Sequence, residues 1–209
     1  MRPPAVAGSF YPADPGRLRS GVEALLAAAS SVEAAPPRAL LVPHAGYEYS
    51  GPVAATAYAH LARTRPGAAR VLMIGPSHFA RFPGMALPGA DALDTPLGAV
   101  PIDPEGEERA RNHPAVGTSA AAHAREHSLE VQLPFLQVTL PECRVVALLC
   151  GEVTPRAVAE LVEESLDDEE ALVLVSSDLS HYLPYREARR RDEETAGAIE
   201  RLDPEALKP

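Results

Sequence analysis

Four runs of this 209-residue chain are apolar almost without interruption: RALLVP (38–43), RVLMIG (70–75), CRVVALLC (143–150) and ALVLVSSD (171–178). A strand with one wet face alternates apolar and polar residues, whereas an unbroken apolar strand is covered on both faces. Segments of helical period separate the runs. In DPGRLRSGVEALLAAAS, Asp14 is placed to cap a helix, Pro15 takes its first position, and Leu18, Val22, Leu25, Leu26 and Ala29 recur at helical spacing. TPRAVAELVEESL repeats the device with Thr154 and Pro155, and EARRRDEETAGAIERL reads as a long helix. Strands alternating with helices make βαβ units. The expected fold is therefore single-domain α/β, with a mostly parallel or mixed central sheet and helices on both faces, spanning 1–209. MALP (85–88) and LGAVPID (97–103) read as shorter strands paired with each other. The stripe Leu129, Leu133, Leu136 and Leu140 reads as a helix that Pro134 splits or kinks.

Charge and composition narrow the function classes. A net charge of −10 gives no basic stripe for nucleic acid or anionic lipid. The one basic cluster, YREARRR (185–191), runs straight into DEE and reads as a solvated helix face. No apolar run approaches the ~20 residues of a membrane span, and MRPPAVAGSFYPADPG lacks the apolar core of a secretory signal. Cys143 and Cys150 form neither a disulfide framework nor a zinc ribbon. A cytoplasmic protein is expected. Its single lysine, Lys208, among many arginines and alanines points to a GC-rich bacterial genome.

The ends of the strong strands carry the chemistry. LLVP runs into His44, LMIGPS into His78, and LVSSDLS through Asp178 to His181. In open α/β sheets, sites form outside the carboxyl ends of the strands, where the loops converge. One histidine in such a loop means little, but three in equivalent places concentrate metal- and proton-handling groups at one rim. His60, inside a helix, reads as structural or exposed, and His113, before Pro114, as exposed. In HAREHSLE, His123, His127 and Glu130 share one face if the segment is helical. His127 and Glu130 would then orient the rim ligands by hydrogen bonds; otherwise the segment is a polar helix start. Tyr47, Tyr49 and Ser50 offer hydroxyl donors to a pocket, or Tyr47 packs in the core and Ser50 only caps the next helix. Gly46, Gly51 and Gly75 let backbone approach a ligand closely or form ordinary turns.

AGSFYP, PHAGYEYSG, IGPSHF, EHSLEVQLPFLQ and SSDLSHY follow one another in this order. Together they resemble the Memo family, whose bacterial members are labelled AmmeMemoRadiSam system protein B, from residue 7 to about 205. The resemblance implies the fold of the catalytic subunit of class III extradiol ring-cleaving dioxygenases, which are non-haem iron enzymes. It implies metal binding by His44 and His78, with Asp178 and His181 beside the metal and His181 as the acid/base. Asp178 would orient His181 or supply an anionic ligand. The family's third ligand is a cysteine in a CG…P motif that follows a segment like LDPEAL. Here the chain ends at LDPEALKP, so it is expected to be shortened at its C-terminal end relative to the family. Cys150 also precedes a glycine, but on an earlier strand where the family has no ligand.

The implied cofactor is a divalent metal, with iron(II) favoured and zinc or copper as alternatives. Three functions follow: an iron oxidoreductase of dioxygenase-like type, a zinc-type hydrolase, or a peptide- or metal-binding module without turnover. The implied partners are a small-molecule or peptide ligand and the radical SAM and AMMECR-type proteins of the family label.

Overall fold

In the computed structural model, which describes residues 1–207, Met1–Ser177 forms one compact unit and the chain from Asp178 on forms a second. The strands are β1 (Ala39–Val42), β2 (Arg70–Pro76), β3 (Met85–Leu87), β4 (Ala92–Thr95), β5 (Gly98–Pro101), β6 (Val116–Thr118), β7 (Arg144–Cys150) and β8 (Ala171–Ser176). The helices are α1 (Pro15–Ala28), α2 (Tyr47–Thr64), α3 (Pro104–Arg111), α4 (Ala120–His123), α5 (Leu133–Thr139), α6 (Pro155–Leu166) and α7 (Tyr185–Glu200). Short 3₁₀ turns cover Glu130–Gln132 and Pro204–Leu207.

The first unit is a six-stranded sheet of order β1-β8-β2-β7-β3-β6 with a separate β4-β5 hairpin. Three of the four unbroken apolar strands, β2, β7 and β8, do what their composition demands, whereas β1 is an edge strand that buries only Val42 fully and leaves Leu41 47% exposed. Val71, Met73, Val145, Ala147, Leu149, Leu172 and Leu174 enter one core with Leu18 and Val22 of α1, Tyr58 and Leu61 of α2, and Phe135 and Leu136 of α5. The alternate residues Leu72, Ile74, Val146, Leu148 and Val173 enter a second core with Ala110 of α3 and Leu161 of α6. Each buried Leu or Met adds ~1.5–3 kcal/mol relative to exposure, so both faces of β2, β7 and β8 are covered.

β1, β8, β2 and β7 run parallel, with Val42 beside Ser176 and Pro76 beside Cys150 in register. Their carboxyl ends therefore share one edge. β3 is antiparallel to β7, which makes the sheet mixed. At the opposite edge, at the start of β2 and β8, lies a cavity of about 300 Å³ whose floor includes Leu72, Val146 and Leu161. Arg70 faces Asp103, Glu105 and Asp168 there.

Several sequence expectations are corrected. β3 pairs with β6 and β7, and the strand at 98–101 pairs with β4 instead, because the hairpin turn brings β4 and β5 together first. α2 starts at Tyr47 with Gly46 as its cap residue, so Ser50 lies inside the first turn and donates to Ala45 O (2.7 Å). His113 is half-buried, with Nε2 3.2 Å from Glu160 Oε2. Other expectations hold. Asp14 accepts from Arg17 N, the leucine stripe divides ahead of Pro134, and His60 is buried against Ala35 O. Thr154 accepts from Ala157 N as the cap of α6. Thr154→Ala is expected to lower stability by about 1 kcal/mol, read as a shift of the urea midpoint at unchanged slope.

In the second unit, the basic cluster on α7 is compensated on its own helix. Arg189, Arg190 and Arg191 pair with Glu193, Glu194 and Glu187 at four-residue spacing, all exposed. That is the solvated face the sequence indicates, worth a few tenths of a kcal/mol per pair. Among the described residues no helix is long and apolar enough to cross a membrane.

Candidate metal centre

His44 follows the last residue of β1 by two positions, and His78 follows that of β2 by two. In the strand order these two strands flank β8, so the two imidazoles face each other across its end, with ring centroids 5.2 Å apart. The third ring comes from the segment between α4 and the 3₁₀ turn at Glu130. His127 lies 4.6 Å from the His78 ring and 5.7 Å from that of His44. One ligand nitrogen from each of His44, His78 and His127 lies within 4.8 Å of the others.

The hydrogen bonds behind the rings set which nitrogen each presents. Ser176, the last residue of β8, donates its single hydroxyl proton to Ser128 O (2.6 Å) and accepts from Gln132 Nε2 (2.9 Å). Its remaining contact, His44 Nδ1 at 3.1 Å, must then come from a ring N–H. His44 is thereby held with Nδ1 protonated and the Nε2 lone pair turned forward. Gln132 is fixed in turn by Tyr58 OH and Pro43 O.

His78 is held by Glu126. Glu126 Oε1 takes the ring Nδ1–H (2.9 Å), and Oε2 takes the His78 backbone N–H (2.6 Å). The same Oε1 accepts from the N–H groups of His127 and Ser128, and lies 3.4 Å from His127 Nδ1. Burial alone would push the Glu126 carboxyl up. The hydrogen bonds from the His78 backbone and ring and from the Ser128 N–H outweigh it and hold the group below the usual carboxylate range. An anionic carboxylate against Nδ1–H raises the donor strength of the opposite nitrogen.

His44 is buried, while the His78 side chain is 35% exposed, so the group opens to solvent on the His78 side. Phe10 packs on the His127 ring at 4.7 Å, and Phe79 edges it at 6.0 Å with Arg125 stacked over its outer face. Gly75 makes this closeness feasible. A Cβ there would meet the Leu129 side chain at 2.8 Å and Ser128 Oγ at 3.0 Å, so both side chains of the loop beside His127 would have to shift. Ser128 Oγ ties that loop to Pro76 O (2.9 Å).

The other sequence candidates divide. Glu130 turns away from the histidines. It accepts from Arg2, Tyr11 OH and the N–H groups of Ala5 and Val6, because no helix joins His123, His127 and Glu130 on one face. His123 likewise points elsewhere, to Ala86 O (2.8 Å). Tyr47 packs against Tyr11 and Phe135 and donates to Val131 O, so its hydroxyl is spent inside the fold. Ser50 is spent within its own helical turn. Asp178 and His181 belong to the second unit, where Oδ2 and Nε2 lie 3.6 Å apart. The residues that sequence reasoning missed are Glu126, Ser128, Gln132 and Ser176. Glu126 adjoins His127 and Ser176 ends an apolar strand, but their partners are distant in sequence.

Residues 2–208 match the family model described as Memo-like protein. The chain belongs to the Memo family. A MEMO1 family protein of Aquifex aeolicus is 39% identical over 211 residues, covering 99% of this chain and 77% of that relative. One from Ignicoccus hospitalis is 40% identical over 99% of this chain and 78% of the relative, and one from Methanopyrus kandleri 36% over 97% and 76%. The motifs PHAGY and GPSH thus place two of the three clustered imidazoles in this Memo chain.

Proposed function

We propose that this Memo protein binds a divalent transition-metal ion through Nε2 of His44, His78 and His127 and acts as an iron(II) oxidoreductase of dioxygenase-like type. The observation that carries the metal reading is the commitment of Nδ1 in both His44 and His78, to Ser176 and to Glu126. Two imidazoles are thereby preset to offer the same nitrogen to one place, with a third ring alongside. Neutral imidazole suits iron, copper, nickel and zinc alike. The iron assignment rests on the motif resemblance to the extradiol dioxygenase fold. Such an ion, when bound, supplies Lewis acidity and open positions for oxygen and substrate. The chain's own groups do the rest: Ser176 and Glu126 fix the ligand rings, and Phe10 and Phe79 screen His127 from water.

One observation favours a zinc-type hydrolase instead. Among the described residues the donor group is three imidazoles, the set in which zinc carries a reactive water. Under either reading the ligand is a small molecule or peptide, the partners are the radical SAM and AMMECR-type proteins of the family label, and the setting is the cytoplasm, where Cys143 and Cys150 stay reduced.

The test is metal analysis of protein purified anaerobically without added metal. About one iron per chain, lost in the His44→Ala/His78→Ala double variant, with oxygen uptake on catechols, is the expected result. Zinc with ester hydrolysis would select the hydrolase, and stoichiometric metal without turnover a binding module. Metal content unchanged in the double variant would refute the site.

A further inference from the structure

The loop that carries Glu126 and His127 has little regular structure to hold it. α4 ends at His123 and the 3₁₀ turn begins at Glu130, so residues 124–129 lie outside any helical ladder. What grips the loop from behind is the other end of the chain. Arg2, 8% exposed, donates from Nε to His123 O (3.0 Å), from Nη2 to Glu126 O, and from Nη1 to Glu130 Oε2 (2.5 Å). Glu130 in turn collects the N–H groups of Ala5 (2.7 Å) and Val6 (2.9 Å) and the Tyr11 hydroxyl (2.6 Å), closing the N-terminal segment onto the same place. Arg2 itself is anchored along β4 of the hairpin, since its N–H donates to Ala92 O and its carbonyl accepts from Asp94 N.

We infer that Arg2 is a positioning residue for the metal centre: it holds the 123–130 loop at three points so that Glu126 reaches His78 Nδ1 and His127 joins His44 and His78. This rests on the metal reading above. The chemistry of the grip is particular to arginine. Three acceptors in different directions are met by the planar fork of one guanidinium, whereas a lysine ammonium is a compact charge on a flexible stem with another geometry. Glu126 is the coupling element. Its backbone carbonyl is held by Arg2 while its carboxylate holds His78, so a shift of one end is felt at the other. Arg2 touches no ligand nitrogen, and its effect passes wholly through Glu126 and His127.

The test uses Co(II) as the probe on the full chain, with Arg2→Lys to keep the buried charge beside Glu130. The expected result is a 10–100-fold weaker Co(II) affinity, the range for loss of a group supporting a ligand, together with a changed visible absorption band as the His127 donor drops out. In a Glu126→Ala/His127→Ala background, Arg2→Lys is expected to change affinity less than threefold, because both residues through which it acts are already gone. A general loss of fold would instead weaken both backgrounds alike. A metal-free measurement runs beside it: the amide protons of His127 and Ser128, which donate to Glu126, are expected to exchange at least tenfold faster in Arg2→Lys while those of β2 and β7 are unchanged. Equal losses in both backgrounds, or unchanged affinity and exchange in Arg2→Lys, overturn the role of Arg2 and leave the metal reading intact. No Co(II) uptake by the wild-type chain overturns the metal reading and this inference with it.

Discussion

Glu126→Ala is expected to lose about 3 kcal/mol of stability and to bind metal 10–100-fold more weakly. The carboxylate is 2% exposed and receives three backbone N–H groups, from His78, His127 and Ser128, besides the His78 ring. Each buried donor left without a partner costs about 1–3 kcal/mol. The half-exposed His78 recovers part of that from water, which keeps the total near the lower end of the 3–5 kcal/mol seen when one partner of a buried charged group is removed. The affinity loss has a separate cause. Without an acceptor at Nδ1, the His78 ring is free to rotate and to adopt the other tautomer, so its Nε2 no longer points to the other two nitrogens.

Glu126→Gln separates the two effects. It fills the same volume and keeps one carbonyl acceptor, so stability is expected to fall only about 1–2 kcal/mol. The negative charge is gone, and the metal affinity is expected to fall nearly as far as in the alanine variant. Urea unfolding and competition titration with a chromophoric chelator measure the two quantities. If Glu126→Ala unfolds at the wild-type midpoint with wild-type affinity, the support assigned to Glu126 does not exist.

The sheet was legible because its cause is local. Val71 to Ile74 or Val145 to Leu149 are apolar at every position, and a strand with such a pattern has only one stable setting, between two helical layers. His44 and His78 were legible for the same reason, since their place at one rim follows from parallel strands alone. The loop at 124–129 was not, because its shape comes from Arg2, Ser128 and Ser176 acting across the fold. Periodicity carries no trace of a hydrogen bond between residues 2 and 126. Glu130 was misread through that gap: on a continuous helix it would sit three residues from His127 on the same face, but the helix is broken, and Glu130 closes on the N-terminal segment instead. The β3 pairing failed similarly, since a three-residue strand has no pattern with which to choose between β5, β6 and β7.

Acid is expected to weaken the first unit through His123, well before the carboxylates titrate. Burial pushes this imidazole down to about 4, against the hydrogen bond to Ala86 O, which raises it, while the Arg2 charge adds to the depression and Glu126 opposes it. The folded state therefore keeps His123 neutral down to about pH 4, whereas the unfolded chain protonates it near pH 6.5. Between those values the unfolded state binds more protons, so stability falls as pH falls. At about 1.4 kcal/mol per pH unit, the loss across the window is on the order of 3 kcal/mol. Glu126, whose carboxyl is also held low, adds a further loss in the same direction only at lower pH. Urea unfolding at stepped pH from 7.5 to 4 measures the slope. His123→Gln keeps an N–H donor for Ala86 O and carries no titrating proton, so its stability is expected to be flatter over the same range, and more so the closer to pH 4. An identical slope in the two proteins would mean that His123 is not held neutral by its burial.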